Sequence, residues 1–455
     1  MPKQHHDHDT AGPTGDPMEP AVPKQVGRRA LLGWTGTAGL AGLAAGVGGT
    51  AAALASHDAR DDQRGRGATA PASEQEDRLA PADRSVTSRS LPMGLAGRVP
   101  AFGQLLSFDL SRALSQAQAR ATAIAFLTFL AGLADQAATA SYPRLDDSLD
   151  PQSTGAAGLD LRPASLEVVP GIGASLLEAC GLTAQRPKAL VDLPSFTTDR
   201  LEKALCGGDL MVQLAAEDPL KLAGAVQAVV SHARGPLGGK VTLRWSRPGF
   251  RTTAAAATDL STTSRNLMGH RDGTDNPKLG TPLWQTTVQA RTPDWMDGGS
   301  YLVARQILID LDTWFGHAEA DRDRVIGRKT ATGAALGDHR ESQLVDLGAR
   351  DHDGALVIPA NAHIRLSSAQ NVLGARIYRR SWNFDDGYVD GARRAGLLFL
   401  AWQADIERGF LPIQRSLIRH HDALNAFTTH VGSAVFAVPA RNNDDYVGQR
   451  LLEAS

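Results

Sequence analysis

Cysteine is nearly missing from this chain of 455 residues, with only Cys180 and Cys206 present. Two thiols cannot build a disulfide framework, a four-thiolate zinc site or an iron–sulfur cluster. They leave open one bridge in an oxidising compartment, or simply two small buried hydrophobes. An excess of charge of one sign is missing too: 47 Lys and Arg stand against 49 Asp and Glu, a formal net charge of -2. Nucleic-acid binders show a basic excess or stripe, so no nucleic-acid partner is expected. What is present is enough apolar residue, 42% of the chain, for a globular protein. The length exceeds one ordinary core and suits two compact domains.

The N-terminus reads as an address. Arg28 and Arg29 precede a stretch from Ala30 to Ala55 without a charged residue, rich in Gly and Ala and ending in Ala53-Leu54-Ala55. A paired arginine before a mildly apolar segment and an A-x-A exit resembles a twin-arginine signal over residues 1–55, the route that exports folded proteins. An uncleaved anchor is the alternative, since a run of this length can span a bilayer. The expected location is extracellular, periplasmic or at the cell envelope, with the twin-arginine machinery as a partner. His5, His6 and His8 lie upstream of the arginines, in a segment removed by cleavage. Residues 56–97, with Asp61-Asp62, Gly65, Pro71 and Pro81, read as a solvated linker.

Periodicity then predicts two halves with one order of elements. In the first half, residues 98–248, strands are expected at Gln104–Leu110, Ala164–Pro170, Asp209–Ala215 and Val241–Arg247. Helices are expected at Ser111–Ala138 and at Asp218–Ala233, the latter opened by Asp218-Pro219. The second half, residues 300–455, repeats the order. It has strands at Ser300–Ile309, Ala375–Phe384, Gly396–Gln403 and Ser433–Val438, and helices from Asp312 and over Asp405–Arg419. Two split βαβ units imply an α+β chain of two ferredoxin-like domains, each an antiparallel sheet with helices on one face. Between them, residues 249–299 carry few such signals, and a connection this long is usually functional or disordered.

That segment contains Gly269-His270-Arg271-Asp272-Gly273-Thr274-Asp275-Asn276-Pro277. An acid bracketed by glycines has the composition of a tight turn, and glycines also let backbone approach something flat or bulky. His363, in Asn361-Ala362-His363-Ile364-Arg365-Leu366, is by itself either a structural hydrogen-bonder or a ligand. Arg379 and Arg380 are adjacent on an expected strand. Strand side chains alternate, so only one of them can enter a pocket and the other must meet solvent or an acid. His420, His421 and His430 make a poor chelate and are read as surface residues.

Taken together, these segments resemble the dye-decolourising peroxidase family. Gly269–Gly273 matches its G-x-x-D-G motif, with Asn266-Leu267-Met268 and Thr274 fitting as flanks. His363-Ile364-Arg365-Leu366 is similar to the stretch carrying the proximal haem histidine, and Tyr378-Arg379-Arg380 to the strand carrying the distal arginine. Leu398-Phe399, Gln403, Asp405 and Gly409-Phe410-Leu411 follow in the family's order, so the resemblance covers roughly residues 100–445. It implies one haem b per chain, mainly in the C-terminal domain, with iron on His363 and an acidic partner behind that histidine. Hydrogen peroxide and a reducing substrate are the implied small-molecule partners, and the oligomeric state is left open. Heterolytic O–O cleavage moves a proton between the two oxygens and leaves charge on the departing one. The resemblance gives Asp272 the proton and Arg379 the charge. It puts Gly273, Thr274, Asp275, Ser368, Ala369 and Gln370 at the haem edge. Asp275 departs from the family's usual small or neutral residue, and would have to turn outward or bind a cation. Tyr378, Trp382 and Tyr388 are either electron relays or packing aromatics. A haem- or iron-handling role of the deferrochelatase kind is the alternative function; it needs haem binding but no proton shuttle.

Overall fold

A computed structural model of the chain describes residues 95, 97–139, 166–253 and 263–454. The leader expected at 1–55, and the linker 56–97 apart from Leu95 and Gly97, lie outside the described residues.

The first half runs β1 (Phe102–Leu110), α1 (Gln116–Thr139), β2 (Glu167–Ile172), α2 (Ala174–Ala179), β3 (Leu210–Ala216), α3 (Pro219–Arg234) and β4 (Val241–Phe250). The Asp218 carboxylate accepts from the Leu220 and Lys221 N–H groups, and Pro219 occupies the first turn of α3, as the sequence indicates. α1 is long and apolar, but Ala123, Phe126, Leu127 and Leu130 bury it against the outer face of the strands. The second half contains α4 (Pro282–Val288), β5 (Ser300–Ile309), α5 (Leu311–Gly316), α6 (Glu319–Ile326), α7 (His363–Ser367), β6 (Tyr378–Arg379), β7 (Trp382–Val389), β8 (Ala392–Gln403), α8 (Phe410–Arg419), β9 (Thr428–Val438) and α9 (Gln449–Leu452).

The chain is a mixture of helices and antiparallel strands, but not with one separate sheet per half. The order β2-β3-β1-β4 of the first half joins β9-β5-β8-β7 of the second at both edges. β2 meets β9 at Ile172 and Ala437, and β4 meets β7 at Phe250 and Asn383, so the sheet closes as a barrel. The physical reason is that an open edge leaves a row of unpaired N–H and C=O groups, and each half covers the other's. Leu105, Val169, Met211, Trp245, Leu302, Trp382, Leu398 and Phe436 come from strands all round the ring and form one cluster, which must be the enclosed face. Trp382 passes so close to Gly103 and Gly249 that a Cβ there would lie 2.4 and 2.5 Å from it. Of the three aromatics offered as relays, Trp382 is therefore a packing residue.

Two other expectations are corrected. The strand expected at Ala375–Phe384 begins at Tyr378 and breaks at Arg380-Ser381, where the Ser381 hydroxyl accepts the Leu400 N–H at 3.2 Å in place of a main-chain carbonyl. The last strand starts at Thr428, five residues early, so His430 is buried and not a surface residue. Its Nδ1 accepts from Arg305 Nε and Nη2 at 3.1 and 2.9 Å, while Arg305 also donates to Ser433 Oγ at 3.1 Å and pairs with Asp199. His420 and His421 are exposed as expected. Cys180 and Cys206 are both free, and burial pushes the Cys180 thiol up to about 11, leaving a small inert hydrophobe.

Burial, helped by the Arg305 charge, holds His430 down at about 3 against an ordinary 6.5. Between those values the unfolded chain takes up a proton that the folded chain refuses. This contribution to stability is therefore complete above 6.5 and is lost as pH falls towards 3. His430→Asn keeps an acceptor for Arg305 and is expected to flatten the loss of stability between about pH 7 and about pH 4.5 in urea unfolding. An unchanged slope would assign the loss to other groups.

Candidate functional site

The motif segment folds as a small closed hairpin. Arg265 and Arg271 form a bridge, the Asn266 N–H donates to His270 O at 2.9 Å, and the Asp272 N–H donates to Ser264 O at 2.9 Å. Gly269 and Gly273 have φ of +86° and +113°, which side-chain-bearing residues rarely adopt. His270 is buried behind the turn, its Nε2 3.2 Å from Asp323 Oδ1 and 3.0 Å from Thr330 Oγ1. Trp314 Nε1 donates to Met268 O at 3.0 Å from the same side. Neighbouring charged and aromatic side chains are thus spent on holding the loop, and Asp272 is left to face the cavity.

β6 brings Arg379 to that acid. Asn276 Nδ2 donates to Arg379 O at 2.8 Å, and the Arg379 N–H donates back to Asn276 Oδ1 at 3.0 Å. This clamp sets Arg379 Nη1 3.1 Å from Asp272 Oδ1. Arg380 points the other way, as alternation requires: it is wholly buried, its Nη2 2.9 and 3.0 Å from the two oxygens of Glu167.

His363 opens α7 and is held from behind. Its Nδ1–H donates to Asp422 Oδ2 at 2.7 Å, and Asp422 Oδ1 accepts the Leu424 N–H at 3.0 Å. Burial opposes a charge on the imidazole, but the Asp422 carboxylate outweighs it and the ring's proton affinity is raised. With Nδ1 engaged, Nε2 carries the lone pair that can reach a metal. Asp272 and Arg379 both act electrostatically on His363, so all three predicted residues share one region. Among the described residues no three His, Cys, Asp or Glu side chains converge on a point. A metal here would have one protein ligand, and a planar macrocycle suits that donor set.

A cavity of about 200 Å³ lies beside Asp272, lined also by Arg98, Arg251, Gly273, Asn276, Tyr378 and Arg379. A smaller one of about 10 Å³ shares Ser264 with it and adds Ser381, Asn383 and Leu397; His363 lines neither. Of the remaining predicted residues, Gly273 faces the larger cavity, while the Thr274 hydroxyl donates to Glu341 at 2.8 Å. Asp275 does turn outward, exposed and 3.2 Å from Arg376. Ser368 and Ala369 are half-buried after α7, and Gln370 is exposed. Sequence reasoning missed Arg98, Arg251 and Asp422. Asp422 is 59 residues from His363, a separation that no local spacing rule reads.

Family models bear on this geometry directly. The model described as "Dyp-type peroxidase, N-terminal" matches residues 101–251, and "Dyp-type peroxidase, C-terminal" matches 263–443. The chain belongs to the Dyp-type peroxidase family. It is 46% identical over 395 residues to a dye-decolorizing peroxidase of Thermobifida fusca, covering 85% of this chain and 89% of that protein. A deferrochelatase of Escherichia coli is 32% identical over 315 residues, 67% and 73% of the two chains. Among solved structures, ferric DtpA from Streptomyces lividans aligns with a TM-score of 0.71 at 37% identity, covering 81% of this chain and 99% of that one. A DyP-type peroxidase from Cellulomonas bogoriensis gives 0.70 at 36%, covering 79% and 96%.

The Asn276 side chain makes two half-buried hydrogen bonds to the Arg379 main chain, so Asn276→Ala is expected to lower stability by about 1–2 kcal/mol in denaturant unfolding. An unchanged midpoint would mean that the loop keeps its place without it.

Proposed function

We propose that the protein is a haem peroxidase that reduces hydrogen peroxide to water at the expense of a dye, phenol or other electron donor. The observation that carries this reading is the Asp272–Arg379 pair at 3.1 Å, in the same region as a histidine whose Nδ1 is fixed by Asp422. Haem b, one per chain and held mainly by the C-terminal half, would take its iron ligand from His363 Nε2 and supply the electrons for O–O cleavage. Gly273, Thr274, Asp275, Ser368, Ala369 and Gln370 are proposed for its edge; Gly273 is the best placed, and the exposure of Asp275 spares a propionate its charge. Asp422 fixes the imidazole's tautomer and direction. Asp272 would take the proton from the inner oxygen and return it to the outer one, while Arg379 would hold fixed positive charge against the departing oxygen. Release of iron from haem would use His363 but not this pair, which favours the peroxidase over a deferrochelatase role.

The domain reading goes with it: a signal over 1–55, a linker over 56–97, ferredoxin-like halves at 98–248 and 300–455 and the motif segment 249–299 between them. The strand orders β2-β3-β1-β4 and β9-β5-β8-β7 support two such halves fused along their edges. Export by the twin-arginine route rests on Arg28-Arg29 and the uncharged run to Ala55.

The purified mature protein is expected to show a Soret band that shifts with one equivalent of peroxide. Asp272→Asn and Arg379→Leu should each slow that shift by about 10²–10⁴-fold. A Soret band indifferent to peroxide in the parent protein would leave the haem-handling role. Asp422→Asn is expected to weaken haem binding roughly 10–100-fold in an apo-protein titration. For export, Arg28→Lys with Arg29→Lys should retain the protein in the cytoplasm, and normal export of that variant would remove the twin-arginine assignment.

A further inference from the structure

Asp272 stands in a turn whose backbone is costly to hold still. Gly273 follows it at φ +113°, a conformation that glycine reaches easily and leaves easily. Glu341 holds this turn from both sides. One of its carboxylate oxygens accepts from Arg271 Nη1, and the other accepts the Thr274 hydroxyl at 2.8 Å. Arg271 and Thr274 directly flank Asp272-Gly273, so a single carboxylate closes the turn into a ring.

The acceptor is itself built in. Glu341 and Arg271 keep only 15% and 16% of their side chains exposed. Arg328, also buried, donates to Gly333 O at 2.8 Å and to Glu341 O at 3.2 Å. It thereby ties the segment carrying Glu341 to the turn that Arg271 crosses. Gly333, at φ +76°, leaves room for that crossing: a Cβ there would lie 2.5 Å from Arg271 Cδ. Burial pushes the Glu341 carboxyl up, but hydrogen bonds from Thr263, Thr274 and Arg271 outweigh it and hold it below its ordinary value. The anion is therefore the resident form at neutral pH, and it cancels the charge of the guanidinium next to Asp272 in sequence.

We propose that Glu341 is a positioning residue: by holding Arg271 and Thr274 together it fixes the direction in which Asp272 presents its carboxylate to peroxide. Glu341 lines neither cavity and acts only through Asp272. As a tether of the turn the proposal stands on this geometry alone; as a control on the peroxide step it rests on the peroxidase reading of Asp272. Misdirecting a proton carrier by about 1 Å is worth up to about 10²-fold in rate.

The test compares Glu341→Ala with the parent in the haem-loaded protein. kcat/KM for hydrogen peroxide is expected to fall about 10–100-fold, while kcat/KM for the electron donor and the resting Soret band stay as they are. Hydrogen exchange at the Asp272 amide, which donates to Ser264 O, should quicken about tenfold or more. In an Asp272→Asn background the same change should cost nothing further in peroxide rate, because the tether has nothing left to direct. Where Glu341→Ala does not fold, Glu341→Gln, of the same size and without a charge for Arg271, carries each comparison. Unchanged exchange and peroxide rate, a loss shared equally by both half-reactions, or a full additional loss beside Asp272→Asn would overturn the proposal. An Asp272→Asn protein that keeps its full peroxide rate would instead remove the role given to Asp272, and the exchange measurement would still decide the tether.

Discussion

A strand edge in a folded interior has to be paired, and in this chain each half supplies the pairing that the other lacks. The contact is narrow: β4 and β7 meet through Phe250 and Asn383, with Trp382 lying against Gly103 and Gly249 where no side chain could fit. Much else hangs from this seam. Asn383 Oδ1 accepts the Leu267 N–H at 3.0 Å and so moors the motif hairpin to β7. Arg251 leaves β4 just beyond it, and Arg379 and Ser381 arrive just before it. The polar cavity forms where the two halves of the sheet join, because side chains from both halves converge there.

The two sides of the reactive region are held by different means. Asp272 and Arg379 are set by main-chain bonds, through Ser264 and the Asn276 clamp, which leave their charged ends to one another. His363 is instead set through its own ring by a buried carboxylate. The difference suits the tasks proposed for them. A proton carrier and its counter-charge have to respond to what arrives, whereas a metal ligand has to keep one direction.

Legibility in the sequence followed the range of each interaction. Strands and helices with strong periodicity, such as Ser300–Ile309 and the Asp218-capped α3, are local and were readable. Asp272, His363 and Arg379 were singled out by the resemblance of three separate segments taken together, and the structure brings them into one region. Barrel closure was not readable, since β2–β9 and β4–β7 are contacts between distant edges that alternation cannot register. Nor were Asp422, Arg98 and Arg251, whose significance comes from what they face. The early start of β9 hid His430, which reads as polar and is yet buried because Arg305 and Asp199 need an acceptor between them.

The strap at residues 97–100 sets how far the chain can be shortened from its N-terminal side without opening the cavity. Its carbonyls are anchored by Arg380 and Trp382, and Gly97, Arg98 and Val99 form part of the cavity wall. A chain trimmed up to Leu95 keeps that wall whole, whereas a cut a few residues further in opens the cavity beside Asp272. Solvent entry to Asp272 therefore depends on a segment far from it in sequence.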